Sequence, residues 1–334
     1  MSETQHKKTK TRRSSLEAPR ALDAAHHSFE TTLTGRIGYY VDAHTHPGRP
    51  IVFVHGVHAA ASAYDMRPLF EAFRAERPVY ALDLPGFGTS ERSPGPYSTM
   101  LYSRVVERFL SEIVSPRGEP VDVVALSLSS EFVARAALYR PELFRTLTLI
   151  SPTGLKGSDI DPKQGRIVLR TLLSRPLGRI PSRHRVLELM LRVPLWTRPV
   201  VRVLTSRPSI KHFLKKSFHG KVPSDYVDFA VRTSRVPGAH EAPTAFIIGQ
   251  LFSKDAFDEL YARLRVPTLI LYDRDPYTRF ERLPELTRRN PAIRSHRIEN
   301  TCGMPHFERR DEVAHVIREF GEEARHGEEA DARA

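Results

Sequence analysis

The chain has 334 residues, of which 40% are hydrophobic and 27% are charged, and its formal net charge is +12 at pH 7. This composition excludes a disordered or fibrous protein, and the length allows one large domain with an insertion. The single cysteine, Cys302, excludes an internal disulfide and a cysteine-based metal site, while the lack of a secretory leader or an apolar run of about 18 residues predicts a cytoplasmic protein.

Short apolar runs alternate with amphipathic stretches along most of the chain, after a polar and basic start. Residues 1–27 hold too little apolar surface to offset the entropy of ordering, so we expect a flexible basic tail there. A hairpin is predicted over 29–43, turning at Thr34 and Gly35. The alternation that follows is typical of a parallel sheet crossed by helices. Strands are predicted over 51–54, 79–82, 121–126, 147–150, 266–272 and 293–298, and helices over 62–74, 102–113, 128–139 and 307–320.

The alternation of strands and helices is interrupted in the middle of the chain. A loop this long inside a compact domain is normally a folded unit or a functional cover, so residues 155–240 are predicted to form an inserted helical lid. This segment carries 18 Lys and Arg against 5 Asp and Glu, so it accounts for the positive charge of the whole chain. The core is predicted over 28–154 and 241–321, and residues 322–334 are predicted to be a frayed tail.

The strongest local signal is Ser127, which follows the apolar run Val-Asp-Val-Val-Ala-Leu. Small residues, Ala125 and Ser129, stand two positions away on either side. A sharp turn from strand to helix forces such a serine into a strained backbone conformation, and only small neighbours avoid collision there. We therefore predict that Ser127 is a nucleophile. The N–H of Leu128, at the positive end of the next helix, is predicted to stabilise an oxyanion.

Two further segments accompany this serine turn. His55, Gly56 and Val57 end one apolar strand, and the pattern Asp-x-Pro-Gly-x-Gly-x-Ser ends the next at 83–90. Together these segments resemble the α/β-hydrolase family, although both glycines of its usual Gly-x-Ser-x-Gly are replaced here. The resemblance implies a mostly parallel central sheet flanked by helices, with an inserted helical lid. It also implies that the Val57 N–H is the second oxyanion donor and that His55 takes no part in proton transfer. His55 is predicted to be a structural residue that ties loops together.

An acidic residue is predicted to follow the strand at 266–272. Asp273-Arg-Asp275-Pro resembles the triad-acid loop of the family, which usually places its acid at the second of the two positions. Asp275 is therefore preferred, and Asp273 is held in reserve. Either carboxylate would orient a histidine and stabilise its imidazolium form, and the alternative is a solvated polar turn.

The histidine is the point at which the sequence departs from the family pattern. Segment 298–308 resembles Gly-His-x-Pro-x-x-Glu, but aligning its proline and glutamate places Gly303 where the catalytic histidine belongs. His306 lies three residues later, a chain reach of up to roughly 10 Å. Two alternatives stay open. Either a re-formed loop lets His306 bond both Asp275 and Ser127, or His306 caps the last helix and the serine lacks a base.

The predicted function is hydrolysis of a carboxylic ester or a related acyl compound by Ser127, His306 and Asp275, without a metal or an organic cofactor. The rival interpretation is a non-catalytic binding or scaffolding protein of the same fold. The basic lid favours an anionic acyl substrate or peripheral contact with an acidic membrane surface, and a solvated basic face is the alternative. Nucleic acid ranks below these partners because no recognised nucleic-acid motif accompanies the charge.

Overall fold

The computed structural model describes residues 18–43, 48–93, 95–157, 199 and 201–331. Most of the predicted basic tail therefore lies outside the described residues. The same holds for a large part of the predicted lid, from 158 to 198 and at 200.

Eight strands form a single sheet. They are β1 (Ala25–Thr31), β2 (Gly35–Asp42), β3 (Ile51–Val54), β4 (Val79–Leu82), β5 (Val121–Leu126), β6 (Phe144–Ile150), β7 (Thr268–Tyr272) and β8 (Ile293–Arg297). Their order across the sheet is β1-β2-β4-β3-β5-β6-β7-β8. The β1/β2 and β2/β4 pairs are antiparallel, and the remaining pairs are parallel. The predicted, mostly parallel sheet with an initial hairpin is confirmed.

Burial along the strands explains their sequence patterns. Every residue of β3, β5 and β6 is buried, because helices cover both faces of the central sheet, and most residues of these strands are therefore apolar. In β8, which lies at the edge of the sheet, only Ile293 is buried.

Helices flank the sheet and connect its strands. Among the described residues they are α1 (Arg67–Phe73), α2 (Thr99–Arg108), α3 (Ser129–Tyr139), α4 (Arg207–Lys216), α5 (Ser224–Thr233), α6 (Glu241–Ile247), α7 (Ala256–Glu259), α8 (Leu283–Arg289), α9 (Pro305–Glu308) and α10 (Arg310–Asp331). Tighter 3-10 turns occupy Ala63–Met66, Pro141–Leu143 and Tyr261–Arg263, and a π-helical turn, Phe109–Val114, extends α2. None of the described helices is long and apolar enough to cross a lipid bilayer.

Two apolar clusters lie on opposite faces of the sheet. One includes Tyr102 of α2 and Phe132 of α3, which are fully buried. The other includes Phe70 of α1 together with Val313 and Ile317 of α10. The last helix therefore packs its apolar side against the sheet.

The end of the chain differs from the prediction. Residues 322–334 were expected to fray, but α10 continues to Asp331. The segment is rich in Glu, Ala and Arg, which have high helix propensity, and nothing in it is strong enough to stop a helix that is already nucleated on the core. The helix therefore extends well beyond its packed part.

Candidate active site

Ser127 stands in the sharp turn between β5 and α3. Its φ is +54°, a left-handed conformation that costs a non-glycine residue about 1–3 kcal/mol. The turn is held on both sides, because the Ser127 N–H donates to the Ile150 carbonyl over 2.8 Å and its carbonyl accepts from the Ser130 N–H over 3.1 Å. The predicted strained turn from strand to helix is confirmed.

Ser129, which replaces the second glycine of the usual motif, has a structural contact that the sequence did not predict. Its Oγ lies 2.5 Å from the His55 carbonyl and 2.7 Å from the Leu126 carbonyl. The side chain is fully buried. The hydroxyl therefore ties the serine turn to the loop after β3, which carries the predicted oxyanion donor.

The two predicted oxyanion donors, Val57 and Leu128, line the same cavity as Ser127. Both residues are buried, and no hydrogen bond within the described part of the chain uses either N–H as donor. Backbone N–H groups that point at the attacked carbonyl oxygen stabilise a tetrahedral oxyanion, and this role stays a prediction for Val57 and Leu128.

His55 holds the same loop in place from inside the protein. Its Nδ1 donates to the Gly56 carbonyl over 2.6 Å, and its Nε2 accepts from the Leu84 N–H over 3.0 Å. Burial lowers the pKa of His55, so the ring is neutral. The structural role predicted for His55 is confirmed.

The cavity above Ser127 has a volume of about 580 Å³, enough for a small organic ligand. Helices α4 and α5, which lie within the predicted lid, and α6, which follows it directly, supply much of its apolar wall. Two cationic side chains, Lys156 and Arg279, also line it. Arg279 is largely exposed and pairs with Glu281 over 3.4 Å. The apolar wall includes Leu204, Ile210, Phe213, Leu214, Phe246 and Phe252.

Asp275 also lines the cavity. Its Oδ1 accepts hydrogen bonds from the N–H groups of Tyr277, over 2.7 Å, and Thr278, over 3.2 Å. Burial raises the pKa of Asp275 to about 6, although these two N–H groups act in the opposite direction. The reserve acid, Asp273, is occupied elsewhere, because it accepts from the Arg297 guanidinium over 2.7 Å and from the Thr301 N–H over 3.0 Å. The structure thus brings Asp275 to the cavity and not Asp273.

Gly303 lies directly beside this carboxylate. A Cβ atom added at Gly303 would be 2.7 Å from the Asp275 Oδ2. The loop is fixed by the Glu308 carboxylate, which accepts from the N–H groups of Cys302, over 2.8 Å, and Gly220, over 2.7 Å. The residue next to the acid is therefore a glycine, where the family resemblance places a histidine.

His306 does not reach the cavity. The ring is fully buried, and its Nε2 donates to the Asp65 carbonyl over 2.7 Å. Its Nδ1 has no partner among the described residues, and burial lowers the pKa of the ring to about 4. No hydrogen bond joins His306 to Asp275 or Ser127, although all of these residues are described. The relay predicted from the sequence is therefore not assembled in this structure, because the ring is held by the segment before α1.

A second histidine, which the sequence did not single out, does line the cavity. The Nε2 of His58 lies 3.0 Å from the Asp65 Oδ2. The other oxygen of Asp65 accepts from the Tyr226 hydroxyl over 2.7 Å. Burial alone would raise the pKa of Asp65, but His58 and the Tyr226 hydroxyl bring it below its ordinary value. The sequence signal was a histidine next to Val57, with an acidic residue in the following turn.

Comparison with known proteins agrees with the fold described above. A model described as the alpha/beta hydrolase family matches residues 51–316, which is more than half of the chain. A segment of 119 residues is 29% identical to the uncharacterized hydrolase YugF of Bacillus subtilis (strain 168), covering 35% of this chain and 42% of that protein. A segment of 110 residues is 29% identical to a probable alcohol acetyltransferase of Cyberlindnera fabianii, covering 33% of this chain and 29% of that protein. The match spans less than half of either curated relative.

A solved structure extends the likeness to nearly the whole chain. It is that of a membrane phospholipase A, described as a novel bacterial virulence factor, with a TM-score of 0.68. The match covers 95% of this chain and 91% of that one at 19% identity. At that identity the likeness shows the fold alone.

Proposed function

Because the chain belongs to the alpha/beta hydrolase family, we propose that it is a serine hydrolase that cleaves a carboxylic ester or a related acyl compound. The observation that carries the proposal is the strained Ser127, which shares a cavity with two unpaired backbone N–H groups. Strain of this kind persists where the surrounding structure enforces it, and it is concentrated at functional sites.

The chemistry follows from the positions of these groups. The Ser127 Oγ attacks the ester carbonyl carbon, and the carbonyl electron pair moves to the oxygen, which accepts from the N–H groups of Val57 and Leu128. Collapse of this intermediate expels the alcohol and leaves an acyl group on Ser127. Water then releases the acid by the same two steps. An alcohol in place of water would give acyl transfer through the same intermediate.

The reaction needs a group that takes the proton of the Ser127 hydroxyl. In the relay predicted from the sequence, His306 takes this proton and Asp275 orients the ring. That relay would require the His306 ring to leave the Asp65 carbonyl and turn into the cavity. The catalytic roles of His306 and Asp275 therefore remain predictions within this proposal.

The second candidate function is ligand binding without catalysis. Gly303 favours it, because a glycine beside Asp275 cannot transfer a proton through a side chain. In that case the cavity and the strained turn would persist as a binding site on the same scaffold.

A fluorophosphonate probe, which reacts only with activated serines, distinguishes the two functions. We expect the wild-type protein to be labelled and Ser127→Ala to be unlabelled, since the substitution removes the attacking oxygen. The readout is the labelled fraction by intact-protein mass spectrometry. A wild-type signal no higher than that of Ser127→Ala would contradict the hydrolase proposal and favour the binding protein.

The cations at the cavity support an ester with a negatively charged group as substrate. Lys156→Ala is expected to raise KM for a carboxylate-bearing ester about tenfold, because a hydrogen bond to a charged group contributes about 1.5 kcal/mol. KM for the neutral methyl ester of the same acid should stay unchanged. Lys254→Ala, at an exposed position that does not line the cavity, is the matched control. Equal changes in KM for both esters would show that Lys156 does not select for charge.

Contact with an acidic membrane surface also remains a prediction. Much of the basic segment on which it was based lies between residues 158 and 198, outside the described residues.

A further inference from the structure

A buried carboxylate pairs with a histidine in the wall of the cavity that contains Ser127. His58 contributes to the cavity wall and is about one-third exposed at its side chain, whereas the Asp65 side chain is fully buried. The pair is joined over 3.0 Å between Nε2 and Oδ2. A buried acceptor without a proton requires a donor, so Nε2 carries the hydrogen of the His58 ring.

This hydrogen bond leaves the other ring nitrogen of His58 as the basic atom. When Nε2 carries the proton of a neutral imidazole, Nδ1 has the free electron pair. The Ala60 N–H is 3.3 Å from Nδ1, at the long end of the hydrogen-bond range. Nδ1 is therefore only weakly engaged and is able to accept a proton from a stronger donor.

The His58 pair connects the loop after β3 with the loop that carries Gly303. His58 directly follows Val57, one of the two proposed oxyanion donors. The main-chain carbonyl of Asp65 binds the His306 ring, so the pair is packed against the loop that carries Gly303. Met304 of that loop lines the cavity together with His58 and Ser127. An imidazole is thus present at the cavity, supplied by the oxyanion loop.

We propose that His58 is the general base for Ser127 and that Asp65 is its positioning residue, an inference that rests on the proposed serine hydrolase. The Ser127 O–H bond breaks as its oxygen bonds the acyl carbon, and the proton passes to Nδ1 of His58. The resulting imidazolium is stabilised by the Asp65 carboxylate. When the intermediate collapses, the same proton goes to the leaving alkoxide, and a water molecule repeats the sequence to free the acid.

The first test compares rates of fluorophosphonate labelling. His58→Gln keeps a side-chain N–H that can reach Asp65 but has no basic nitrogen, so labelling of Ser127 is expected to slow by about 10²–10⁴-fold. His296→Gln changes an exposed histidine of β8 and should label at the wild-type rate. Thermal unfolding of each variant is measured in parallel. If His58→Gln unfolds at a lower temperature, imidazole is added to His58→Ala, and recovery of labelling supports the assignment.

The outcomes separate the two proposals. Wild-type labelling that persists unchanged in His58→Gln overturns the base assignment and leaves the serine hydrolase intact. No recovery of His58→Ala by imidazole also counts against the assignment. Loss of labelling in a folded His306→Gln variant would return the base to His306. If the wild-type protein itself is unlabelled, the hydrolase proposal fails, and the role of His58 fails with it.

The positioning role of Asp65 has a separate readout. In Asp65→Asn the amide can donate to Nε2, which moves the ring hydrogen to Nδ1 and removes the acceptor. We expect kcat for ester hydrolysis to fall by about 10²-fold or more, with KM within about twofold of wild type. A merely structural role would alter both constants or neither, and either result would overturn this assignment.

Discussion

Adding Gly303→His to the His58→Gln variant is expected to restore labelling of Ser127 by about 10²-fold, the lower end of what general base catalysis contributes. The new ring would stand next to Asp275, whose Oδ2 faces position 303. The φ of Gly303 lies outside the left-handed region, so the backbone accepts a side chain there. The Asp275 carboxylate must shift by a few tenths of an ångström or more, since a Cβ would lie 2.7 Å from it.

Controls isolate the contribution of the new ring. Gly303→Ala in the His58→Gln background makes the same steric demand but supplies no base, so its labelling should stay at the level of His58→Gln. Adding Asp275→Asn should reduce the recovered rate, because the amide cannot stabilise an imidazolium. Equal labelling of the alanine and histidine variants, both folded, would mean that the space beside Asp275 is not within reach of the Ser127 hydroxyl.

Asp122→Ala is expected to lower the free energy of unfolding by about 3–5 kcal/mol, because it leaves the buried guanidinium of Arg145 and the partly buried one of Arg77 without their counter-charge. Asp122 lies on β5, the strand that ends at Ser127. Its carboxylate accepts from Arg145 over 2.8 and 2.5 Å and from Arg77 over 2.5 Å. Chemical denaturation at pH 7 measures the loss. Asp258→Ala is the matched control, since its carboxylate also pairs with two arginines, Arg282 and Arg289, but is exposed.

The stability that Asp122 contributes depends on pH, and the direction of this dependence follows from the shift of its pKa. Burial opposes ionisation of Asp122, but its two arginines outweigh this and hold its pKa below the ordinary value. A lowered pKa in the folded state stabilises the protein above the ordinary pKa of the carboxyl group, and this contribution is lost as pH falls through the folded-state value. The wild type and Asp122→Ala should therefore converge in stability as the solution is acidified. Surface pairs contribute about 0–1 kcal/mol, so a comparable loss in Asp258→Ala would contradict the burial argument.

The serine turn and the sheet were predictable because their causes are local. Fully buried parallel strands read as apolar runs, and small residues around Ser127 are what a left-handed serine requires. The contact made by the Ser129 hydroxyl was not predictable, because its partner, the His55 carbonyl, is 74 residues away in sequence. A motif shows where a small residue is required, but it does not show which groups the side chain of that residue contacts.

The pairing of the histidines could not be predicted, because it depends on contacts between distant segments. His306 is 241 residues from the Asp65 carbonyl that binds its ring, and Tyr226 reaches the same aspartate across 161 residues. Because His306 lies only three residues from Gly303, the sequence allowed its ring either to reach Asp275 and Ser127 or to cap the last helix. His306 belongs to the short helix α9, and its buried ring lies on the side of this helix that contacts the segment before α1.

Asp275, the carboxylate beside Gly303, makes the charge of the cavity depend on pH in the range just below neutrality. With a pKa of about 6, Asp275 is mostly ionised at pH 7 and mostly neutral at pH 5. Lys156 and Arg279 line the same cavity. Protonation of Asp275 thus removes one negative charge from the cavity wall as the medium acidifies. Anionic molecules of any kind are attracted more strongly under mildly acidic conditions, whether or not they are then cleaved.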